Sequence, residues 1–194
     1  MENGKYFTRR EPTAPADFEE GYWGVATDPD GNRRNLADER DKKLEDLKDE
    51  LAHINALPPG RILDVGCGLG HLLSGVDPLW ERHGVEISAY AAERAQEWGT
   101  IWHGNLASAN YPAAHFDVVT LYHVIEHMTD PYAEMLEIDR VLRPSGHLII
   151  GTPDFDSACA RRFGPRYRML HDPTHISLFS ATSLRRIAFV LGTV

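Results

Sequence analysis

The stretch Arg61-Ile-Leu-Asp-Val-Gly-Cys-Gly-Leu-Gly70 decides the fold. It begins with a short apolar, partly β-branched run, which is typical of a buried strand. Asp64 lies near the end of that run, and Gly66, Gly68 and Gly70 follow at alternate positions. Glycine permits positive φ and lets the backbone approach a ligand closely. A helix that starts near Gly70 turns its free N–H groups toward the same ligand, so the stretch predicts a nucleotide-type site at the end of a parallel strand.

The spacing of the glycines discriminates between nucleotide ligands. The dinucleotide fingerprint G-x-G-x-x-G requires a glycine at position 71, where this chain has His71. The phosphate-binding sequence G-x-x-x-x-G-K-[ST] is absent. The pattern present is D-x-G-x-G-x-G, and its carboxylate beside a bare turn suits an ammonium group better than a pyrophosphate. The alternative is an ordinary tight strand-to-helix turn that binds no ligand.

Length and composition limit the class of protein. The chain has 194 residues, which suits one domain with a good core. Its net charge of -9 disfavours a nucleic-acid partner, because phosphate binding needs a basic surface. Its two cysteines give no disulfide framework. The N-terminal sequence is polar and no apolar run approaches the roughly 18 residues of a membrane span, so we expect a cytoplasmic protein.

Helical and strand patterns alternate along most of the chain. Residues 1–35 show no period, and we expect an irregular arm that lies over the active site as a lid or is poorly ordered. The patterns predict strands at 62–65, 83–87, 101–103, 116–121 and 147–151, and helices at 36–56, 71–75, 88–98, 130–142 and 180–191. This alternation predicts an α/β fold with a doubly wound, mostly parallel sheet. The domain would span 36–194, with an irregular insertion on the substrate side at 152–179.

Further motifs follow in order. Glu86 ends the second strand about 20 residues after the glycine turn, where an acidic residue can accept bonds from ribose hydroxyls. Downstream come Phe116-Asp-Val-Val-Thr-Leu-Tyr-His-Val-Ile-Glu-His127, Val141-Leu-Arg-Pro-Ser-Gly146 and His171-Asp-Pro-Thr-His-Ile-Ser-Leu-Phe-Ser180. Together with D-x-G-x-G-x-G, they resemble the class I S-adenosylmethionine-dependent methyltransferases, which have a Rossmann-like fold. The set is most similar to the small-molecule branch, with its ubiquinone-biosynthesis O-methyltransferases and sugar methyltransferases.

The resemblance implies S-adenosylmethionine as cofactor and S-adenosylhomocysteine as product. Asp64 and the turn backbone would hold the methionine part, and Glu86 the ribose. Asn105 stands where the family usually has Asp, and its carbonyl can still accept from the adenine amino group. The implied cofactor-binding residues are Asp64, Gly66, Cys67, Gly68, Gly70, Glu86, Ile87, Asn105, Leu106, Leu121, Tyr122 and His123.

Histidines cluster where the family places its substrate. Methyl transfer from a sulfonium is an in-line displacement, in which the protein positions the acceptor and excludes water. A hydroxyl acceptor also benefits from a general base with a pKa near neutrality. We expect His127 to be this base, with His171 and His175 as further catalytic candidates that shape the acceptor site. The alternative is that these histidines cap turns or bond backbone carbonyls.

The same region raises the question of a metal. His123-Val-Ile-Glu-His127 matches the H-x-x-E-H signature of inverted zinc proteases, which predicts a metal hydrolase. That site needs a helix with both histidines on one face, whereas His123 directly follows a strand, so we expect an accidental match. Some quinone O-methyltransferases hold a divalent ion around this motif with acidic residues and a histidine. Glu126 and His127 match two of those positions but His123 replaces an acidic one, so we predict a site without metal.

The predicted function is methyl transfer from S-adenosylmethionine to a small-molecule acceptor, most readily at an oxygen. The alternative is a non-catalytic methyltransferase-like protein that acts through a partner. The family chain continues past the last helix with an antiparallel hairpin, whereas this sequence stops at Leu191-Gly-Thr-Val194. Either the sequence is truncated or the sheet edge is open and must be covered, for example in a homodimer.

Overall fold

The computed structural model describes residues 7–8, 20–27, 33–35, 39–172 and 174–190 of the chain. Its strands are β1 (Phe7–Thr8), β2 (Val25–Thr27), β3 (Arg33–Asn35), β4 (Arg61–Val65), β5 (Glu81–Glu86), β6 (Thr100–His103), β7 (Phe116–Tyr122), β8 (Leu142–Gly151) and β9 (Ser177–Leu178). Its α-helices are α1 (Glu20–Trp23), α2 (Arg40–Asp46), α3 (Lys48–Asn55), α4 (His71–Gly75), α5 (Ala89–Ala95), α6 (Pro131–Val141), α7 (Ala158–Phe163) and α8 (Ala181–Val190). Short 3-10 helices lie at Ala107–Ala109, Ile125–His127, Gly164–Arg166 and Arg168–Leu170.

A five-stranded parallel sheet in the order β6-β5-β4-β7-β8 forms the centre of the fold. β4 lies in the middle, where Asp64 pairs with Gly84 on one side and with Thr120 on the other. The chain first builds outward from β4 to β6, and then returns to add β7 and β8 on the opposite side. The reversal between β4 and β7 is the topological switch point at which doubly wound sheets bind ligands. The predicted fold class is therefore confirmed.

Two apolar clusters cover the two faces of this sheet. Successive side chains of β4 alternate between them, so that Leu63 and Val65 belong to one cluster and Ile62 to the other. Ile138 of α6 is buried in the first cluster and Ile54 of α3 in the second. Because helices cover both faces, the central strands β4 and β7 have nearly continuous apolar sequences, which is why they could be located from the sequence.

The helix predicted over 36–56 is divided into two. Leu47, Leu51 and Ile54 are buried at the predicted helical spacing. Leu47 has φ -102° and ψ 8°, which lie outside helical values, and it separates α2 from α3. The prediction of one continuous helix was therefore wrong at this residue, and 36–38 lie outside the described residues.

Two segments that we predicted to be irregular contain short elements. In the N-terminal arm, β2 and β3 form an antiparallel hairpin and β1 pairs with β9; the other arm residues before α1 lie outside the described ones. In the insertion, the hydroxyl of Ser157 accepts a hydrogen bond from the Ala160 N–H and caps α7. A helix of 6 residues is too short to show a period, which is why the sequence did not reveal it.

β8 begins earlier than predicted and forms an edge of the sheet. Its first residue pairs with Phe116, and a register shift separates that pair from the regular pairing that starts at His147. Its apolar residues Leu148, Ile149 and Ile150 are only partly buried. Within the described residues no antiparallel hairpin pairs with β8, and Leu191-Gly-Thr-Val194 lies outside them.

Candidate active site

A cavity of about 410 Å³ opens at the carboxyl ends of β4, β5 and β6, beside the switch point. Its wall contains the carboxylates Glu86, Asp130 and Glu134, and no lysine or arginine among the described residues that line it. The two histidines in the wall, His123 and His127, follow the end of β7. The cavity therefore lies where the sequence predicted a ligand, and its wall favours a cation.

The glycine turn adopts backbone that glycine alone enters readily. Gly66, Gly68 and Gly70 have φ of 70°, 54° and 76°. The N–H groups of Gly66 and Cys67 donate to the Val85 carbonyl at 2.8 and 3.1 Å, which ties the turn to the neighbouring strand. Of the turn, Gly66 lines the cavity and Cys67, Gly68 and Gly70 do not, so their cofactor contacts stay predictions.

Glu86 links the turn to the next helix. It is buried at the end of β5 and lines the cavity. Its Oε2 accepts a hydrogen bond from the Gly68 N–H at 2.8 Å, and its Oε1 accepts one from the Ser88 N–H at 2.8 Å. A carboxylate can accept more than two hydrogen bonds, which suits the predicted role of Glu86 toward ribose hydroxyls.

Asp64 lies behind the cavity rather than in its wall. It is 4% exposed, and its Oδ1 accepts a hydrogen bond from the Thr120 hydroxyl at 2.6 Å. Burial raises the pKa of Asp64 to about 7, against the opposing effect of the Thr120 hydrogen bond. An ammonium group placed nearby would stabilise the charged carboxylate, which is compatible with the predicted role.

Ile87, Asn105 and Leu106 line the cavity after β5 and β6, where the resemblance places adenine. Ile87 is 37% exposed and offers an apolar surface. The Oδ1 of Asn105 accepts a hydrogen bond from the Ser108 N–H at 2.9 Å and keeps one lone pair for an adenine amino group. The structure therefore brings these three predicted residues together.

His123 and Glu126 form a pair where β7 ends. His123 has a φ of 58°, which is unfavourable for a residue with a side chain. Its Nδ1 donates to Oε1 of Glu126 at 3.1 Å, and Oε2 of Glu126 accepts from the Thr152 hydroxyl at 2.8 Å. Burial raises the pKa of Glu126, but the hydrogen bonds that it accepts outweigh this effect and hold the pKa below its usual value. Glu126 is therefore a buried, charged carboxylate that orients His123.

His127 lines the cavity with its ring against His175, at 4.9 Å between ring centroids. The Nδ1 of His127 donates to the Thr174 carbonyl at 3.0 Å, and the Nδ1 of His175 donates to the Met169 carbonyl at 3.0 Å. Burial lowers the pKa of His127, and the charge of Glu126 only partly offsets this effect. The ring is therefore neutral near neutral pH, with Nε2 as its basic nitrogen.

Besides Asp64 and the turn residues described above, four predicted residues do not line the cavity: Leu121, Tyr122, His171 and His175. Of these, His175 reaches the site only through its contact with the ring of His127. His171 is exposed, and its Nε2 hydrogen-bonds the Pro165 carbonyl at 2.9 Å, which matches the alternative role of bonding the backbone. Leu121 packs in the core cluster on one face of the sheet and Tyr122 against the cluster on the other. Adjacent residues of a strand point to opposite faces, so these two side chains cannot both face one cavity.

The H-x-x-E-H motif does not lie on an α-helix. His123 follows the end of β7, and Ile125–His127 forms a single 3-10 turn. The structure thus lacks the helix that an inverted zinc protease site requires at this motif. Glu126, His127 and His175 do approach one another, and each offers one possible metal-ligand atom within 4.8 Å of the others.

Tyr22 and Trp23 of α1 line the cavity, although the sequence did not single them out as site residues. A Cβ built on Gly68 would meet the Trp23 ring at 2.6 Å, so the indole lies directly against the glycine turn. Burial and nearby carboxylates raise the pKa of Tyr22. Aromatic residues in a segment without periodicity carry no positional signal, and only the tertiary contact reveals their place.

The comparisons with known proteins agree with this geometry. A family model described as a methyltransferase domain matches residues 36–189. The chain therefore belongs to the methyltransferase domain family, which confirms the resemblance found in the motifs.

Two relatives illustrate the match. A protein of Mycolicibacterium smegmatis named a probable S-adenosylmethionine-dependent methyltransferase is 33% identical over 149 residues, covering 74% of this chain and 50% of the relative. A ubiquinone biosynthesis O-methyltransferase of Alkalilimnicola ehrlichii is 31% identical over 136 residues, covering 64% and 53%. The chain thus spans about half the length of these relatives.

Solved structures show the same fold. YcgJ from Bacillus subtilis superposes with a TM-score of 0.64 at 21% identity, covering 76% of this chain and 67% of YcgJ. Magnesium protoporphyrin IX methyltransferase from Synechocystis, solved with bound S-adenosylhomocysteine, gives a TM-score of 0.59 at 18% identity, covering 78% and 72%. Among the described residues, no helix has the length and apolar character that crossing a membrane requires.

Proposed function

We propose that this chain binds S-adenosylmethionine in the cavity and transfers its methyl group to an oxygen atom of a small-molecule acceptor. The observation that carries the proposal is a cavity at the switch point, bounded by Gly66 and Glu86 on the strand ends and by His127 after β7. Membership of the methyltransferase family supports the cofactor, and the neutral histidine supports the hydroxyl acceptor.

The residues of the cavity fit an adenosine group that carries a sulfonium. Gly66 presents bare backbone, Glu86 a carboxylate for ribose hydroxyls, and Ile87 an apolar surface for the adenine ring. Asp130 and Glu134 add negative charge, which attracts a cationic ligand. When bound, the cofactor supplies the electrophilic methyl group.

His127 is the proposed general base. Its Nδ1 is committed to the Thr174 carbonyl, so Nε2 accepts the proton of the acceptor hydroxyl. Burial keeps the ring uncharged, which is the form that a base needs. His175 packs against the ring and holds its orientation. Tyr22 and Trp23 cover the cavity, and we assign residues 1–35 the role of a lid that excludes water.

Calorimetric titration of the purified chain with S-adenosylmethionine and S-adenosylhomocysteine tests whether the chain binds the proposed cofactor and its product. We expect binding in the micromolar range, followed by methylated products when quinols, catechols or sugars are screened by mass spectrometry. A product methylated on nitrogen or carbon would overturn the oxygen acceptor. A folded chain that binds neither ligand would overturn the proposal and favour the non-catalytic alternative.

His127→Gln separates chemistry from binding. We expect turnover of a hydroxyl acceptor to fall by about 10²- to 10⁴-fold, the usual contribution of a general base. The affinity for S-adenosylmethionine should stay nearly unchanged, because the substitution removes the base without touching the turn. His171→Gln is the matched control and should keep full turnover, since His171 does not line the cavity. Equal turnover in both variants would show that His127 is not the base.

A divalent cation is a second candidate for activating the acceptor. Glu126, His127 and His175 are close enough to hold one, and a bound cation lowers the pKa of a hydroxyl that it contacts. We nevertheless expect turnover to persist after exhaustive treatment with EDTA. A loss that Mg²⁺ or Zn²⁺ restores in the original chain but not in His175→Gln would establish the cation instead.

A further inference from the structure

The backbone of His123 has an uncommon conformation at a position in the cavity wall. The described residues other than glycine that have a positive φ are Asn110, Ala114, His123 and Ser145. Of these, His123 alone lines the cavity, with a φ of 58°. Backbone of this kind persists only where neighbouring contacts impose it, and it is concentrated at functional sites. This conformation therefore points to a function for the His123 ring.

The contacts that orient the ring come from Glu126. Oε1 of Glu126 lies 3.1 Å from Nδ1 of His123, and Oε2 accepts a hydrogen bond from the Thr152 hydroxyl at 2.8 Å. Glu126 is buried and charged, so its carboxylate can only accept hydrogen bonds. The hydrogen in the contact between the two side chains therefore belongs to Nδ1 of His123.

This hydrogen on Nδ1 determines what the other ring nitrogen offers. In a neutral imidazole one nitrogen donates and the other accepts, so neutral His123 accepts at Nε2. No described residue hydrogen-bonds to this atom, and the edge of the ring that faces Glu126 is the Nδ1 edge. The side chain is 45% exposed, so the ring is accessible from the cavity that it lines. His123 thus offers the cavity a hydrogen-bond acceptor.

The insertion after β8 holds both histidines of the wall. The Nδ1 of His127 donates to the carbonyl of Thr174 in this insertion. His123 is held through Glu126, which accepts from Thr152 where the insertion begins. On the proposed function, the insertion borders the acceptor. The contacts of His123 therefore tie it to the acceptor side of the cavity rather than to the glycine turn.

We propose that Nε2 of His123 accepts a hydrogen bond from a second O–H or N–H group of the acceptor, next to the hydroxyl that is methylated. The inference rests on the proposed function, in which His127 takes the proton of the reacting hydroxyl. Two contacts fix both the position and the rotation of the acceptor, which aligns its oxygen for the in-line displacement. The acceptor is therefore a molecule with two neighbouring hydrogen-bond donors, and Glu126 is a positioning residue for His123.

His123→Asn tests this role. Asparagine enters positive φ more readily than most residues, and its amide N–H can replace Nδ1 as the donor to Glu126, but it has no atom in the place of Nε2. With catechol, which has two neighbouring hydroxyls, we expect kcat/KM to fall by about tenfold, the effect of one hydroxyl left without its partner. With phenol, which has one hydroxyl, kcat/KM should stay unchanged. In the original chain, catechol should exceed phenol by about the same factor.

Calorimetry separates a contact with the acceptor from a contact with the cofactor. His123→Asn should bind S-adenosylmethionine as tightly as the original chain and melt within a few degrees of it. Weaker binding of S-adenosylmethionine with an unchanged ratio of the two acceptors would assign His123 to the cofactor and overturn the inference. His171→Asn is the matched control, and its ratio should equal that of the original chain, because His171 does not line the cavity.

The remaining outcomes also decide the matter. An equal loss with catechol and phenol in His123→Asn would show that the ring only supports the structure, and equal kcat/KM for both in the original chain would show that no second donor is bound. Either result would overturn the inference. So would a chain that binds S-adenosylmethionine and methylates neither probe, although the cofactor part of the proposed function would then stand. A folded chain that does not bind S-adenosylmethionine would overturn the proposed function itself.

Discussion

At the scale of single residues, the two buried carboxyl groups at the strand ends differ in the hydrogen bonds that they accept. Glu86 accepts hydrogen bonds from two backbone N–H groups, at Gly68 and Ser88. Asp64 accepts one from the Thr120 hydroxyl, and burial raises its pKa to about 7. Glu86 therefore shapes the turn, whereas Asp64 is a titrating group enclosed behind it.

Asp64 should make the stability of the ligand-free chain depend on pH. The folded state holds the proton of Asp64 more tightly than the unfolded chain, whose pKa is near 3.8, so its contribution favours folding at low pH. We expect this contribution to be lost as the pH rises from about 4 to about 7, by up to about 4 kcal/mol. Asp64→Asn keeps an oxygen that accepts from Thr120 and removes the titration. Its free energy of unfolding, from urea denaturation at several pH values, should fall less over this range.

One result would contradict this prediction for Asp64. If the original chain and Asp64→Asn show the same pH dependence of unfolding, the carboxyl does not titrate in this range. In that case the enclosed position of Asp64 would not raise its pKa.

At the scale of elements, the strand–turn–helix unit depends on glycine for two separate reasons. Gly66 has a φ of 70°, and a Cβ there would also meet Val124 at 2.6 Å. Gly164, in the insertion, has a φ of 49° but nothing within 4 Å of the position of a Cβ. The first glycine therefore meets both a backbone and a steric requirement, and the second only the backbone requirement.

The pair Gly66→Ala and Gly164→Ala separates these requirements. Gly164→Ala should cost about 1–3 kcal/mol, because Gly164 has φ 49° and ψ -126°, a backbone region that residues with a side chain rarely enter. Gly66→Ala should cost the strain of a side chain at φ 70° plus the clash with Val124, which adds about 1–3 kcal/mol, and should weaken S-adenosylmethionine binding. Urea denaturation measures both costs. Equal losses of stability would mean that Val124 moves aside freely.

At the scale of the whole molecule, the sheet ends at β8 in the described part of the chain, with Leu148, Ile149 and Ile150 partly exposed. An apolar edge strand is prone to pair with another chain. We propose a homodimer that covers this edge. Sedimentation equilibrium should show a mass that rises from monomer to dimer with concentration, and a monomer at every concentration would contradict the proposal.

The cavity residues at the strand ends, which we propose to hold adenosine, could be predicted to lie together because their placement depends on local geometry. Gly66, Glu86, Ile87 and Asn105 follow directly from strand ends, and strand ends are visible in the pattern. The residues of the proposed acceptor side could be predicted to lie together only in part. His127 was identified from a motif. Its contact with His175 and the position of His171 outside the cavity depend on the path of the insertion.

By itself, the sequence determined the doubly wound sheet, the glycine turn and the family, because these rest on periodicity and on short motifs whose spacing is local. Only the tertiary structure decided that Asp64 lies behind the wall, that Tyr122 faces away from the cavity and that Trp23 covers the turn. The physical reason is the same for all three. Burial, orientation and packing depend on neighbours distant in sequence, and those neighbours meet only when the chain has folded.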